Sequence, residues 1–263
     1  MRGLGSRDNN HPVDEENPYW MSFSDIMAGL LVIFVLAAVA LMLELKQKSE
    51  QWDDAIKEIA KAEQVRKDLL REIEAELNAQ HIPVKISDND TVLRIPEDVL
   101  TFRQGSFDIP SDDKYQGIAL DIGKVLFKSI SKDERWKYLD TIFVEGHTDK
   151  VPYRNIAIKG NWGLSTFRAI SVWNYWNSMM EEGSRLEELN NHLGTKLFSV
   201  SGYAATRPTP CSNDGDNIDD PDLCPSGPLE AGHSLRKNRR IDIRFTVRRP
   251  ALEDYQAIKQ ALN

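Results

Sequence analysis

Val144-Glu145-Gly146-His147-Thr148-Asp149, followed after a loop by Asn161-Trp162-Gly163-Leu164-Ser165 and Arg168-Ala169, decides the reading of this chain. Thr141 to Glu145 is β-branched and aromatic, the texture of a strand. Asn161 to Met180 carries Leu164, Phe167, Ile170, Trp173 and Trp176 at helical spacing. A carboxylate at the exit of a strand and an arginine on the first turns of the next helix can face each other across a pocket. Held a few ångströms apart, they can grip a zwitterion, the aspartate taking an ammonium and the arginine a carboxylate. The same two residues read equally as an ordinary structural salt bridge.

Around this segment the elements alternate. Val92 to Ile95 reads as a strand, Ser111 as the cap of a helix through about Ser129, and Leu197 to Gly202 as a strand. Ile241, Ile243, Phe245 and Val247 alternate with Asp242, Arg244 and Thr246, the period of a half-buried strand. Helices between strands predict an α/β domain over residues 83–250, with two helices covering one sheet face and a tail over 251–263. No internal repeat is visible.

Gly146-His147-Thr148-Asp149, Asn161-Trp162, Leu164-Ser165, Arg168-Ala169, Gly202-Tyr203, Arg207-Pro208 and Asn238-Arg239-Arg240-Ile241-Asp242-Ile243 occur in an order that resembles the OmpA-like peptidoglycan-binding domain, most of all its MotB branch. The resemblance covers about 144 to 245. It implies an α+β sandwich in the periplasm that binds the diaminopimelate-containing stem peptide of peptidoglycan. Carried over by position, Asp149 and Arg168 grip the diaminopimelate ends, Thr148, Asn161 and Leu164 line the pocket, and Arg239 and Arg240 support it. The stretch from Lys150 to Gly160 is long beside ordinary OmpA-like domains and similar to MotB-like ones.

Toward the N-terminus, Met21 to Leu43 is almost wholly apolar, long enough to span a bilayer, since roughly 20 residues at about 1.5 Å each cover the hydrocarbon core. It follows a polar leader, residues 1–20. The competing reading is a signal peptide cleaved near Ala38-Val39-Ala40; the length of the run and Asp14, Glu15 and Glu16 ahead of it argue for a retained anchor. Asp25 is the charged residue inside the run. A carboxylate there costs about 2.5–3.5 kcal/mol near the bilayer centre unless it faces an interior or a water path. It reads either as an ion carrier or as a helix cap near the interface. Ala28 and Gly29, one turn on, allow another helix to approach closely. Trp20, Phe23, Ser24, Asp25 and Met27 resemble the start of MotB-like stator subunits, where such an aspartate carries protons or sodium; a lone carboxylate favours protons, with no other cofactor.

From Glu44 to residue 82, Ile56, Ile59, Ala62, Leu69, Ile73 and Leu77 form one apolar stripe of an amphipathic helix that Pro83 ends. Read as a linker or plug outside the domain, that helix needs a second copy, a neighbouring subunit or the membrane surface to bury its stripe.

The net charge of −8 and a pI near 5.3 provide no basic footprint for nucleic acid. The five histidines, at 11, 81, 147, 192 and 233, lack metal-ligand spacing. The two cysteines, Cys211 and Cys224, bracket an acidic loop and would form a disulfide in an oxidising compartment; two free thiols are the cytosolic alternative. Asp214-Gly215-Asp216-Asn217 offers oxygen ligands without the spacing of a calcium loop, and no metal is assigned. Arg2 and Arg7 before the span are matched by Lys46 and Lys48 after it, so charge leaves its orientation open.

Together these features resemble the wall-anchored subunit of an ion-driven inner-membrane motor. The resemblance implies a homodimer within a pentameric ring of MotA-like partners, N-terminus cytoplasmic and C-terminal domain periplasmic. Within that superfamily, the short linker and cysteine-bracketed loop are most similar to the ZorB-type subunits of Zorya anti-phage defence systems, with ZorA-type partners. A flagellar stator and a passive membrane-to-wall tether are the alternatives. An enzyme is disfavoured, since no Ser/His/Asp or metal constellation accompanies the motif.

Overall fold

A computed structural model describes residues 18–155, 157, 159–209 and 236–249. The chain divides into two compact units, one up to Ala55 and one from Ile56 onward. Helix α1 runs Pro18–Ala79 and contributes to both. In the first unit it leaves Ile26, Leu30, Leu31, Ile33 and Phe34 more than half exposed. By length and composition it suffices to cross a membrane. Asp25 lies two turns inside α1, past the first turn, so it does not cap the helix.

The second unit is built on a five-stranded sheet. Its strands are β1 (Lys85–Ser87), β2 (Val92–Pro96), β3 (Leu139–His147), β4 (Phe198–Gly202) and β5 (Arg240–Val247). Helix α2 (Asp113–Ser131) precedes β3, and α3 (Asn161–Met179) connects β3 to β4. The spatial order is β1-β2-β5-β3-β4. β3 and β4 are parallel, as a helical crossover requires, and the other pairs are antiparallel. The predicted α/β layer is therefore present. The N-cap of α2 is Asp112 rather than Ser111: its carboxylate accepts from Lys114 N at 2.8 Å.

Alternation along β5 separates the two faces. Ile241, Ile243 and Phe245 are buried with Leu93 and Ile95 of β2 and Ile142 and Val144 of β3. Ile122 and Leu126 of α2 and Ala169, Val172 and Trp176 of α3 complete that core. Trp176 Nε1 donates to Ala119 O at 2.6 Å, tying α3 to α2.

The apolar stripe of α1 is a correction. Leu69, Leu70, Ile73 and Leu77 are fully buried in the same core. Glu76 and Glu72 pair with Lys128, Lys132 and Arg135 beside α2. From Ala62 to Leu77 the stripe is thus covered by its own domain, where each buried side chain contributes about 1.5–3 kcal/mol, while Ile56 at its start is 58% exposed. The compact unit begins at Ile56, inside the segment 44–82 expected as a separate linker. α1 stops before Pro83, in a left-handed turn at His81 (φ 65°) with Ile82 N donating to Leu77 O and His81 N to Asn78 O.

Candidate binding site

Register brings the site together. Pro96 at the end of β2 and His147 at the end of β3 both pair with Arg240 at the start of β5. Glu97, Thr148, Asp149 and Arg239 therefore emerge at one end of the sheet. α3 begins at the same end because it follows β3. It packs closely: a Cβ on Gly146 would drive into the Ser165 carbonyl oxygen, and one on Gly202 into Thr166. Ser165 Oγ also accepts from Ala204 N at 3.0 Å. The glycine-bearing strand ends and Leu164-Ser165 are thus fixed to each other by close approach.

Asn161 fastens the loop between Asp149 and α3. Its Oδ1 accepts from Tyr153 N at 2.9 Å, and its Nδ2 donates to Val151 O at 2.9 Å and Asp149 O at 3.3 Å. Tyr153 OH donates to Gly105 O at 2.9 Å, joining this loop to the segment after β2. Between them lies a cavity of about 550 Å³. Thr148, Asp149, Asn161, Leu164, Arg168 and Arg239 all line it. Thr148 Oγ1 is buried and has no hydrogen-bond partner among the described residues, a polar atom left for a ligand to satisfy.

The charges are arranged asymmetrically. Arg239 Nη1 donates to Asp149 Oδ2 at 2.7 Å, while its Nε and Nη2 donate to the two oxygens of Glu97, each at 2.7 Å. The hydrogen bonds that Arg239 donates to Glu97 and Asp149 raise its pKa against the effect of burial. Val151 N donates to Asp149 Oδ1 at 3.1 Å. Arg168 is 5% exposed. Its Nε donates to Ser106 O at 3.0 Å, its guanidinium lies 5.0 Å from the Phe102 ring, and no carboxylate pairs with it among the described residues. Burial lowers its pKa, outweighing the pull of Glu97. The ordinary Asp149–Arg168 salt bridge is therefore not formed; Asp149 pairs with Arg239 instead. A buried guanidinium bonded to carbonyls can accept an anionic group.

Arg240 is placed differently from expectation. It is the first residue of β5 and points to the other sheet face, where Nε donates to Asp242 Oδ2 at 2.9 Å and Nη2 to Arg207 O at 3.1 Å. There it joins a buried polar ladder. Arg94 forks onto Asp242 at 3.1 and 3.2 Å, and Arg244 Nε reaches Glu145 Oε1 at 2.9 Å. Burial raises the Glu145 pKa, but the pull of His147 and of Arg244 outweighs it and leaves the carboxyl below its usual value. Burial pushes His147 down, against the pull of Glu145 and Asp242. Its Nε2 is 3.4 Å from Asp242 Oδ2 and 3.9 Å from Glu145 Oε2, contacts that are electrostatic rather than hydrogen-bonded. Glu145, His147 and Asp242 have ligand atoms within 4.8 Å of one another. Arg94, Arg240 and Arg244 already supply the positive charge that a cation would bring, so the donor set does not fit a divalent metal.

Sequence reasoning missed Glu97, Phe102 and Tyr153 in the cavity wall. Glu97 sits in no motif; its one signal is that it follows the strand expected at Val92 to Ile95. Asp25 lies in the first unit. Cys211, Cys224 and the acidic loop between them lie outside the described residues, as do residues 1–17 of the leader and the tail, while residues 18–20 begin α1.

No protein-family model matches the chain. Over 67 residues, 26% of this chain, it is 34% identical to motility protein B of Bacillus subtilis (strain 168), and the matched stretch spans 22% of that protein. A solved structure of a MotB-like protein from Desulfovibrio vulgaris is similar at 17% identity and a TM-score of 0.43, covering 74% of this chain and 99% of that one. The chain, whose second unit is a mixed sheet, is similar over those 67 residues to a MotB protein, of whose length it spans about a fifth. It is similar over a longer stretch to the Zorya protein ZorB of Escherichia coli, 24% identical over 202 residues, or 74% of this chain and 80% of that protein. Neither relative's name describes an enzyme.

Proposed function

We propose that this chain is the wall-anchored subunit of a proton-driven inner-membrane motor of the Zorya type, acting in anti-phage defence. The observation that carries the wall-binding half is the cavity in which Asp149, Arg168, Thr148 and Asn161 converge, with an acidic side at Asp149 and, at Arg168, a buried guanidinium without a carboxylate partner among the described residues. That pair suits the ammonium and carboxylate of a diaminopimelate end in peptidoglycan. Leu164 supplies the apolar wall, Arg239 positions Asp149, and Arg240 stiffens the strand below. The likeness to ZorB over most of its length favours the defence setting. The shorter match to a motility protein favours a flagellar stator as the second reading.

In this reading α1 crosses the inner membrane with its N-terminus in the cytoplasm, and the sheet domain is periplasmic. Cys211 and Cys224 form a disulfide there. Two copies stand inside a ring of five MotA-like chains, and Asp25 relays protons. Each proton falling through about 100 mV supplies roughly 2.3 kcal/mol for rotation against the wall-held domain.

One paired experiment tests it. Arg168→Ala in the full chain is expected to abolish retention on purified peptidoglycan, and Asp25→Asn to abolish protection against phage while leaving retention intact. Undiminished retention of Arg168→Ala refutes the pocket; full protection by Asp25→Asn refutes the motor and leaves a tether.

A further inference from the structure

The grip at Asp149 and Arg168 uses one ammonium and one carboxylate, whereas a peptidoglycan stem peptide carries more carboxylates than amines. The rest of its negative charge must lie outside the cavity, at the mouth. Phe102 and Gln104 line the cavity from one side, and Asp149, Val151 and Tyr153 from the other. Interleaved with or following these residues are Arg103, Lys150, Arg154 and Lys159, all exposed. Hydrogen bonds gather them. Ser106 N donates to Arg103 O at 2.9 Å, closing a turn, and Tyr153 OH donates to Gly105 O at 2.9 Å, which brings Arg154 beside that turn. Gly160 N donates to Asn155 O at 3.0 Å, which folds Lys159 back toward Arg154.

Among the described residues none of these cations pairs with a carboxylate; Asp108, also exposed, is the acidic residue that follows Arg103 on its segment. The whole chain carries a net charge of −8, so the positive charge here is a local concentration. Like charges gathered without counter-charges repel one another, and an anion entering among them relieves that repulsion. We propose that Arg103, Lys150, Arg154 and Lys159 form a cationic collar that receives the carboxylates left outside the grip and speeds the capture of an anionic peptide. This collar rests on the wall-binding reading above and deepens it, since it gives the cavity a preference for stem peptides whose glutamate carboxylate is free over those in which it is amidated. Exposed charges act mainly on association: they steer the encounter through their field and are screened by salt, whereas the buried grip sets how long the ligand stays.

The test uses the full chain in an uncharged detergent, and stopped-flow anisotropy with two probes. One is L-Ala-γ-D-Glu-meso-diaminopimelate with a neutral fluorophore on its alanine amine; the other is the same peptide with the α-carboxylate of D-Glu amidated. For the wild-type chain, association with the first probe is expected to slow about tenfold as ionic strength rises from about 0.01 to about 0.15 M, over which the screening length shrinks from about 30 to about 8 Å. Amidation is expected to slow association about threefold at low salt, the scale of one exposed ion pair. In the combined variant Arg103→Gln, Lys150→Gln, Arg154→Gln and Lys159→Gln, association at low salt is expected to be about tenfold slower, nearly independent of salt and the same for both probes, with dissociation changed less than about threefold. Arg103→Lys with Arg154→Lys keeps the charges and is expected to keep the wild-type rates, which a packing role of those arginines would not allow. A combined Gln variant with the wild-type rate and salt slope, a loss confined to dissociation, or a wild-type chain that captures both probes at one rate overturns the collar alone. Failure of the wild-type chain to bind either probe overturns the wall-binding reading and the collar with it.

Discussion

Ile73→Ala probes whether the C-terminal part of α1 is core or linker. Ile73 is fully buried among Leu69, Leu70, Leu77 and the α2 and sheet residues. Truncation removes three carbons, about 0.8 kcal/mol each in transfer free energy, or about 2.4 kcal/mol. The unfilled space adds to this, and buried Ile→Ala changes cost about 2–5 kcal/mol in all; the better helix propensity of Ala returns a few tenths. We expect about 3 kcal/mol. The assay is urea unfolding of the full chain in detergent, followed by tryptophan fluorescence, because Trp176 is buried in the same core. Measurements at two protein concentrations tenfold apart separate the readings. A stripe packed on a second copy would shift the midpoint with concentration, whereas a stripe packed on its own domain would not. A loss below about 1 kcal/mol, or a concentration-dependent midpoint, refutes the assignment of α1 to the domain core.

Burial depresses the His147 pKa below 6.5, so the unfolded chain takes up a proton before the folded one does. Stability is therefore full above pH 6.5 and falls below it, by at most about 1.4 kcal/mol per pH unit from this group. Urea midpoints between pH 7.5 and 5.5 are expected to decline, and His147→Gln to flatten the decline; an unchanged slope in the variant removes His147 as its cause. Gly146→Ala is expected to cost more than about 1–3 kcal/mol, because the new methyl meets the Ser165 backbone oxygen and not a flexible side chain. A thermal midpoint equal to that of the wild-type chain would show that α3 can retreat from β3 freely.

The elements most legible in the sequence are those with strong periodicity. β5 is read from Ile241-Asp242-Ile243-Arg244-Phe245, and α3 from its aromatic stripe. Six of the seven expected pocket residues meet in one cavity because each lies beside a strand end or helix start that could be placed locally. Arg240, expected to support the pocket together with Arg239, bonds to Asp242 and Arg207 O, since neighbouring positions in a strand face opposite sides. Glu97 was invisible because it touches Arg239 across 142 residues of chain, a relation set by the β2–β5 register. The burial of α1 was invisible for a related reason: an amphipathic stripe shows that a helix has a partner without saying which one.

The same register has a mechanical consequence. At the end of the sheet away from the cavity, Val247 pairs with Leu139, and Arg248 reaches Glu58 near the start of the second unit at 3.2 Å. The chain thus enters this unit at one end of β5 and its candidate ligand docks at the other. A pull between those points runs along β5, which is hydrogen-bonded on both sides, to β2 and to β3. Ladder bonds lie across that direction, so the two ladders are loaded together in shear and not opened one bond at a time. Arg94 on β2, Arg244 and Asp242 on β5 and Glu145 on β3 add side-chain ion pairs that cross the same two seams. A polar face buried at the cost of desolvating several charges is hard to explain as a source of stability alone, since such pairs seldom exceed what apolar packing provides. As a brace across the strands that would carry the load of an anchor, it has a reason to be there.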